Sequence, residues 1–114
     1  MNLKVRNHYN PDALIIDLDG DFDLYASHAV KLEIVKLVEQ GNHIILLNME
    51  KVKYIDSTGI GALIKIMLLL KPLNGTVKLY NVNETPRRVL KLTMVDKMLE
   101  VCETEETAIN SIKR

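Results

Sequence analysis

The chain has 114 residues, with 15 Lys and Arg against 15 Asp and Glu and a formal net charge of zero. Its 47% hydrophobic and 26% charged content is the balance of one folded, water-facing domain, which excludes wholesale disorder and a multi-domain enzyme. No basic excess is left to cover phosphates, so a general nucleic-acid binder is excluded as well.

Leu3 to His8 is a strand candidate, closed by a turn at Asn10-Pro11-Asp12. Ala13 to Asp19 sets Leu14, Ile16 and Leu18 against Ile15, Asp17 and Asp19, an alternation that predicts a strand with one face on the core. The two read as an antiparallel pair ended by Gly20-Asp21. From Tyr25 to Gln40, Ala26, Val30, Ile34, Leu37 and Val38 follow helical spacing, and Gly41 stands where a helix end favours left-handed backbone. Ile44 to Leu47 is a short unbroken apolar run, the mark of a strand covered on both faces. A helix is expected from Thr58 to Lys71 with Ile60, Leu63, Ile64, Met67 and Leu68 on its inner stripe, which leaves Leu69 and Leu70 for a contact surface or a second buried side. Thr76 to Tyr80 alternates again. Thr85-Pro86 reads as an N-cap and first-turn proline, Met98 to Cys102 as a last strand, and Thr104 as the cap of a final helix carrying Ala108, Ile109 and Ile112. The order β-β-α-β-α-β-α-β-α predicts one mixed sheet of about five strands flanked by about four helices, with right-handed crossovers.

Cys102 is the single cysteine, so neither an internal disulfide nor a cysteine zinc site is expected. The opening residues lack the apolar stretch of a signal peptide, and the greasiest segment, Ala62 to Leu70, is broken by Lys65 and far short of the ~20 residues of a membrane span. These features predict a single domain over residues 1–114, cytoplasmic, with no membrane or nucleic-acid partner.

The most informative segment is Tyr54-Ile55-Asp56-Ser57-Thr58-Gly59-Ile60-Gly61, which joins a strand block to an amphipathic helix. Ser57 or Thr58 is expected to cap the helix. Two hydroxyls exceed what one cap needs, and glycine in a helix costs up to ~1 kcal/mol relative to alanine, so bare backbone here has a use besides helix stability. A phosphate cradle fails for want of the Gly-Lys-Ser/Thr ending. A nucleophile elbow fails because Ile55 stands where Gly-x-Ser-x-Gly needs glycine. A serine that receives a phosphate fits: a helix N-terminus favours an added anion, and the modification brings about −1.5 to −2 charge.

Gly20-Asp21-Phe22-Asp23 after a strand, then a helix, Ile44 to Leu47, and Ile55-Asp56-Ser57-Thr58-Gly59-Ile60-Gly61 together resemble the STAS domain of bacterial anti-sigma factor antagonists over essentially the whole chain. The resemblance implies partner switching. The antagonist binds an anti-sigma factor serine kinase, a sigma factor is released, the kinase uses ATP to phosphorylate the serine matching Ser57, and a PP2C-type phosphatase resets the cycle. Asp23 matches the acidic residue closing the family's Gly-x-x-Asp motif. At the end of the third strand, where the family has Asp, this chain has Asn48, which keeps the shape and loses the charge. The expected docking face comprises Asp21, Phe22, Asp23 and Tyr25 with Asp56, Ser57, Thr58, Gly59 and Gly61, Phe22 serving as an apolar anchor or else plugging the sheet edge. On this reading the protein is not an enzyme and needs no cofactor. The alternatives are a STAS module of a transport or signalling complex that binds without being phosphorylated and, more remotely, a nucleotide binder.

The remaining chemistry-bearing residues form no site. His8, His28 and His43 share no metal-ligand spacing. Asp17, Asp19, Asp21 and Asp23 alternate, but the later glycine and glutamate of a calcium loop are missing and two of the acids lie in a strand. Met67, Met94 and Met98 read as core filler, and Arg87-Arg88 as a solvated pair.

Overall fold

The structure, a computed structural model, describes residues 1–9 and 11–112; Asn10 of the expected turn lies outside them. Five strands form one mixed sheet in the order β1 (Asn2–His8), β2 (Ala13–Asp19), β3 (Ile44–Lys51), β4 (Thr76–Tyr80), β5 (Glu100–Cys102). β1 and β2 are antiparallel and every later neighbour is parallel. The parallel strands are joined by α1 (Leu24–Glu39), α2 (Ser57–Leu70) and α3 (Glu84–Leu92), and α4 (Glu105–Asn110) follows β5. Because the crossovers step the same way across the sheet, α1 to α3 share one face, as connections of one hand require.

The alternation read from the strands divides the core accordingly. Ile16, Leu18, Ile45, Leu47, Val77 and Leu79 pack under α1, α2 and α3. Ile15, Leu46 and Tyr80 point the other way and meet Ala108 and Ile109 of α4. So β3 is covered on both sides, and Gly41, at φ +99, turns the chain out of α1.

Four expectations are corrected. In α2 the buried stripe is Ile60, Leu63, Ile66 and Leu70; Leu70 is 0% exposed and Leu68 is 53% exposed. A helix that is apolar nearly all round gives the sequence little contrast from which to choose a face. α3 starts at Glu84, so Thr85 lies inside the helix instead of capping it, and the N-cap position is Asn83. The Asn83 side chain is used elsewhere, its amide donating to the Glu50 carbonyl near the end of β3 and to the Val52 carbonyl just past it, each at 2.9 Å. β5 is shorter than expected because Val95–Lys97 forms a 3-10 turn, and Met94 and Met98 on either side of it are exposed where core filler was expected. Thr104 does cap α4, in a reciprocal box with Thr107.

Asn48 sits inside β3, which runs on to Lys51, and belongs to a polar network on the α4 face. The Arg6 guanidinium donates to both Asp17 oxygens (2.7 and 2.8 Å) and to Glu105 Oε1 (2.7 Å). Tyr80 Oη donates to the same Glu105 oxygen (2.7 Å), and Asn48 Nδ2 to Asp17 Oδ1 (2.8 Å). An aspartate at position 48 would set a second carboxylate against Asp17, and the amide avoids that repulsion.

Arg6 holds the Asp17 and Glu105 carboxyls below their ordinary 3.8 and 4.5, chiefly through its hydrogen bonds. A carboxyl whose folded pKa is depressed stabilises the fold above its unfolded pKa and loses that contribution as pH falls through the folded one. We expect Arg6→Met to cost about 1 kcal/mol near neutrality, the groups being about a third exposed, and to flatten the fall in urea midpoint below pH 3.8–4.5. An acid limb as steep as that of the wild type would contradict this.

Candidate functional site: the paired entrances of α1 and α2

The carboxyl ends of β2 and β3 lead into two loops that run side by side. Phe22 and Ile55 form a parallel bridge, with Phe22 N–H donating to Tyr54 O (2.9 Å) and Asp56 N–H to Phe22 O (3.3 Å). Gly20 N–H adds a bond to Lys51 O at 3.2 Å. This pairing brings the N-termini of α1 and α2 to one edge of the sheet, the place where open α/β sheets present their sites.

Each helix is capped by an aspartate. Asp23 accepts from Ala26 N–H (3.0 Å), and its carbonyl takes the Ser27 hydroxyl at 2.5 Å. Asp56 Oδ1 accepts from Thr58 N–H (2.9 Å), Gly59 N–H (3.1 Å) and Thr58 Oγ1 (2.5 Å). The expectation that Ser57 or Thr58 caps α2 is therefore corrected: a carboxylate one residue earlier takes the orphan N–H groups. The Thr58 hydroxyl, with Gly59 N–H, holds the Asp56 carboxyl below its usual range.

Those bonds separate the two hydroxyls. Thr58 is half-buried and committed to Asp56, whereas Ser57, the first residue of α2, is exposed and its side chain makes no hydrogen bond among the described residues. Asp21 is exposed in the paired loop, Asp23 and Asp56 are half-buried, and Tyr25 is 84% exposed at the start of α1. Phe22 departs from the expected docking face: it is wholly buried beneath the loops, so of the two readings weighed for it the internal plug holds.

The two glycines differ. A Cβ on Gly59 would stand 2.5 Å from Phe22 O and 2.7 Å from Ile55 Cγ1, so this glycine is what lets α2 close onto the paired loops. A Cβ on Gly61 would meet nothing within 4 Å. Gly61 instead lines an open groove of about 250 Å³ between α1 and α2, with Leu24, His28, Lys31, Thr58 and Lys65. Sequence reasoning missed Lys31 and Lys65, because their neighbourhood exists only once two crossovers lie side by side. The chain's chemistry-bearing acids stay apart: Asp17 pairs with Arg6, Asp23 caps α1, and no group of three or more metal-ligating side chains occurs among the described residues.

An exposed hydroxyl thus stands at the entrance of α2, at the edge of a five-stranded mixed sheet where aspartates cap two paired helices. The STAS domain family model matches residues 4–108, and the chain belongs to that family. Among its relatives, the anti-sigma-B factor antagonist of Bacillus subtilis (strain 168) is 26% identical over 109 residues, spanning 96% of this chain and 99% of that one. The fold matches the anti-sigma factor antagonist SpoIIAA in its unphosphorylated form at a TM-score of 0.81 and 24% identity, covering 97% of this chain and 96% of the other. It also matches the Bacillus cell fate determinant SpoIIAA in the phosphorylated form, at a TM-score of 0.73 and 25% identity, covering 98% and 100%. No helix of the described residues is long and apolar enough to cross a membrane.

Proposed function

We propose that residues 1–114 act as one non-catalytic unit, an anti-sigma factor antagonist that binds an anti-sigma factor serine kinase so that a sigma factor is released. Phosphorylation at Ser57 ends the complex, and a PP2C-type phosphatase restores it. The observation that carries this reading is the exposed Ser57 hydroxyl on the first turn of α2, beside a Thr58 hydroxyl already taken by Asp56. The naming of relatives as antagonists, and the phosphorylated form of one structural relative, support it. Asp21, Asp23, Tyr25, Asp56, Thr58 and Gly61 form the docking face around Ser57, with Gly59 and Phe22 beneath them as its support.

In the transfer, Ser57 Oγ attacks the γ-phosphorus of ATP held by the kinase. The Oγ–P bond forms as the bond to the bridging β,γ-oxygen breaks, and ADP leaves. The hydroxyl proton goes to a base on the kinase. Asp56 is a poor base because its carboxylate already accepts several hydrogen bonds and its proton affinity is lowered. The phosphatase adds water and releases inorganic phosphate.

The test is intact mass after incubation with ATP and the anti-sigma factor kinase of the same genome. Wild type and Thr58→Ala gain one phosphate and Ser57→Ala gains none. Uptake by Ser57→Ala overturns the acceptor assignment. Binding with no uptake by the wild type favours a module that works unphosphorylated in a transport or signalling complex.

A further inference from the structure

We infer that the groove between α1 and α2 receives an acidic segment of the partner, a carboxylate on each side of one bulky apolar side chain. The inference deepens the docking reading above and rests on it for the partner, while its chemistry is read from the groove alone. Three observations carry it.

The first is charge. Lys31 lines one wall and Lys65 the other, neither forms an ion pair among the described residues, and no acidic residue lines the groove. Unpaired ammonium groups facing each other across a cleft are complementary to carboxylates. The second is space. Gly61 costs α2 up to ~1 kcal/mol relative to alanine and the fold gives no steric reason for it, since a Cβ there meets nothing within 4 Å. Its bare backbone deepens the floor of a groove of about 250 Å³, room for a side chain and not for a whole helix. The third is continuity with an apolar rim. Leu24, 60% exposed, borders the groove, and Thr58 places its upper end against the Ser57 surface. The face is therefore bipolar, with aspartates at the helix entrances and lysines in the groove, so a matching segment has one docked orientation.

The test uses the nitrogen-15-labelled chain and a synthetic peptide with Leu residues flanked by Glu, with Lys in place of Glu as control; neither a kinase nor ATP is needed. The expected result is saturable shifts of the Lys31, Gly61 and Lys65 amides with the Glu peptide only. Affinity falls about tenfold or more in Lys31→Glu/Lys65→Glu, an effect that shrinks as salt rises. Gly61→Ala, which puts a methyl into the cleft, weakens binding severalfold while its melting temperature holds or rises. Equal affinity in either variant, or shifts confined to other residues, overturns the inference. The same shifts produced by ATP or GTP alone, or by raising the protein concentration alone, assign the groove to a nucleotide or to a second copy and also overturn it. Phosphate transfer to Ser57 without peptide binding condemns only the groove, and peptide binding without transfer condemns only the phosphoswitch.

Discussion

Ser57→Asp is expected to weaken kinase binding by about 10- to 100-fold, or roughly 1.4–2.8 kcal/mol, while leaving the melting temperature unchanged or slightly higher. The two effects have opposite signs because the residue faces two environments. Within the chain, position 57 is the first residue of α2, where the positive end of the helix dipole favours an acidic side chain by about 0.3–1 kcal/mol. Across the interface, a kinase poised to phosphorylate this oxygen must hold nucleotide phosphates against it. A negative group there meets like charge, a juxtaposition worth several kcal/mol when water is excluded. The phosphate itself, with about −1.5 to −2 charge and more bulk, should act more strongly than Asp. Titration calorimetry with the kinase and its nucleotide, set beside thermal melts, checks both signs. Wild-type affinity in Ser57→Asp would remove the electrostatic basis of the switch.

Gly59→Ala and Gly61→Ala are expected to differ by about 1–3 kcal/mol, although both replace a glycine in the first turns of the same helix. Alanine gains up to ~1 kcal/mol of helix propensity at either site. At position 61 nothing offsets that gain, so the variant is neutral or more stable. At position 59 the new methyl lies 2.5 Å from a backbone oxygen and 2.7 Å from Ile55 Cγ1, and the fully buried Phe22 ring blocks retreat. Overpacking of this kind typically costs about 1–3 kcal/mol, sometimes more, which exceeds the propensity gain. Urea unfolding curves read the difference directly. Equal midpoints for the two variants would mean that α2 moves off the paired loops more easily than the contacts imply.

The strands were legible because alternation reports a face directly: Ala13–Asp19 and Thr76–Tyr80 stand at the bounds read from their pattern. Gly41 and Thr104 were legible because each answers one local backbone requirement. α2 was read less well because most of its residues are apolar, so the pattern could not separate the buried Leu70 from the exposed Leu68. The cap of α2 was misread because a stronger acceptor stood nearby. Asp56 takes the role expected of Ser57 or Thr58, since an ionised carboxylate outcompetes a hydroxyl for several N–H donors at once. Phe22 was ambiguous for a different reason: a loop aromatic is buried or exposed according to which strand end it lies beside, here the Ile55 segment, far along the chain. The Lys31 and Lys65 walls depend on the same long-range pairing.

The lone rung joining Phe22 to Ile55 makes one plate of two segments that belong to different crossovers. Asp23 and Ser57 ride on opposite halves of that plate, so their separation is held by main-chain bonds as well as by the side-chain packing of α1 on α2. Anything that binds across it meets a fixed two-point gauge. A substitution that broke the rung would blur the gauge while leaving both residues, and the sheet behind them, in place.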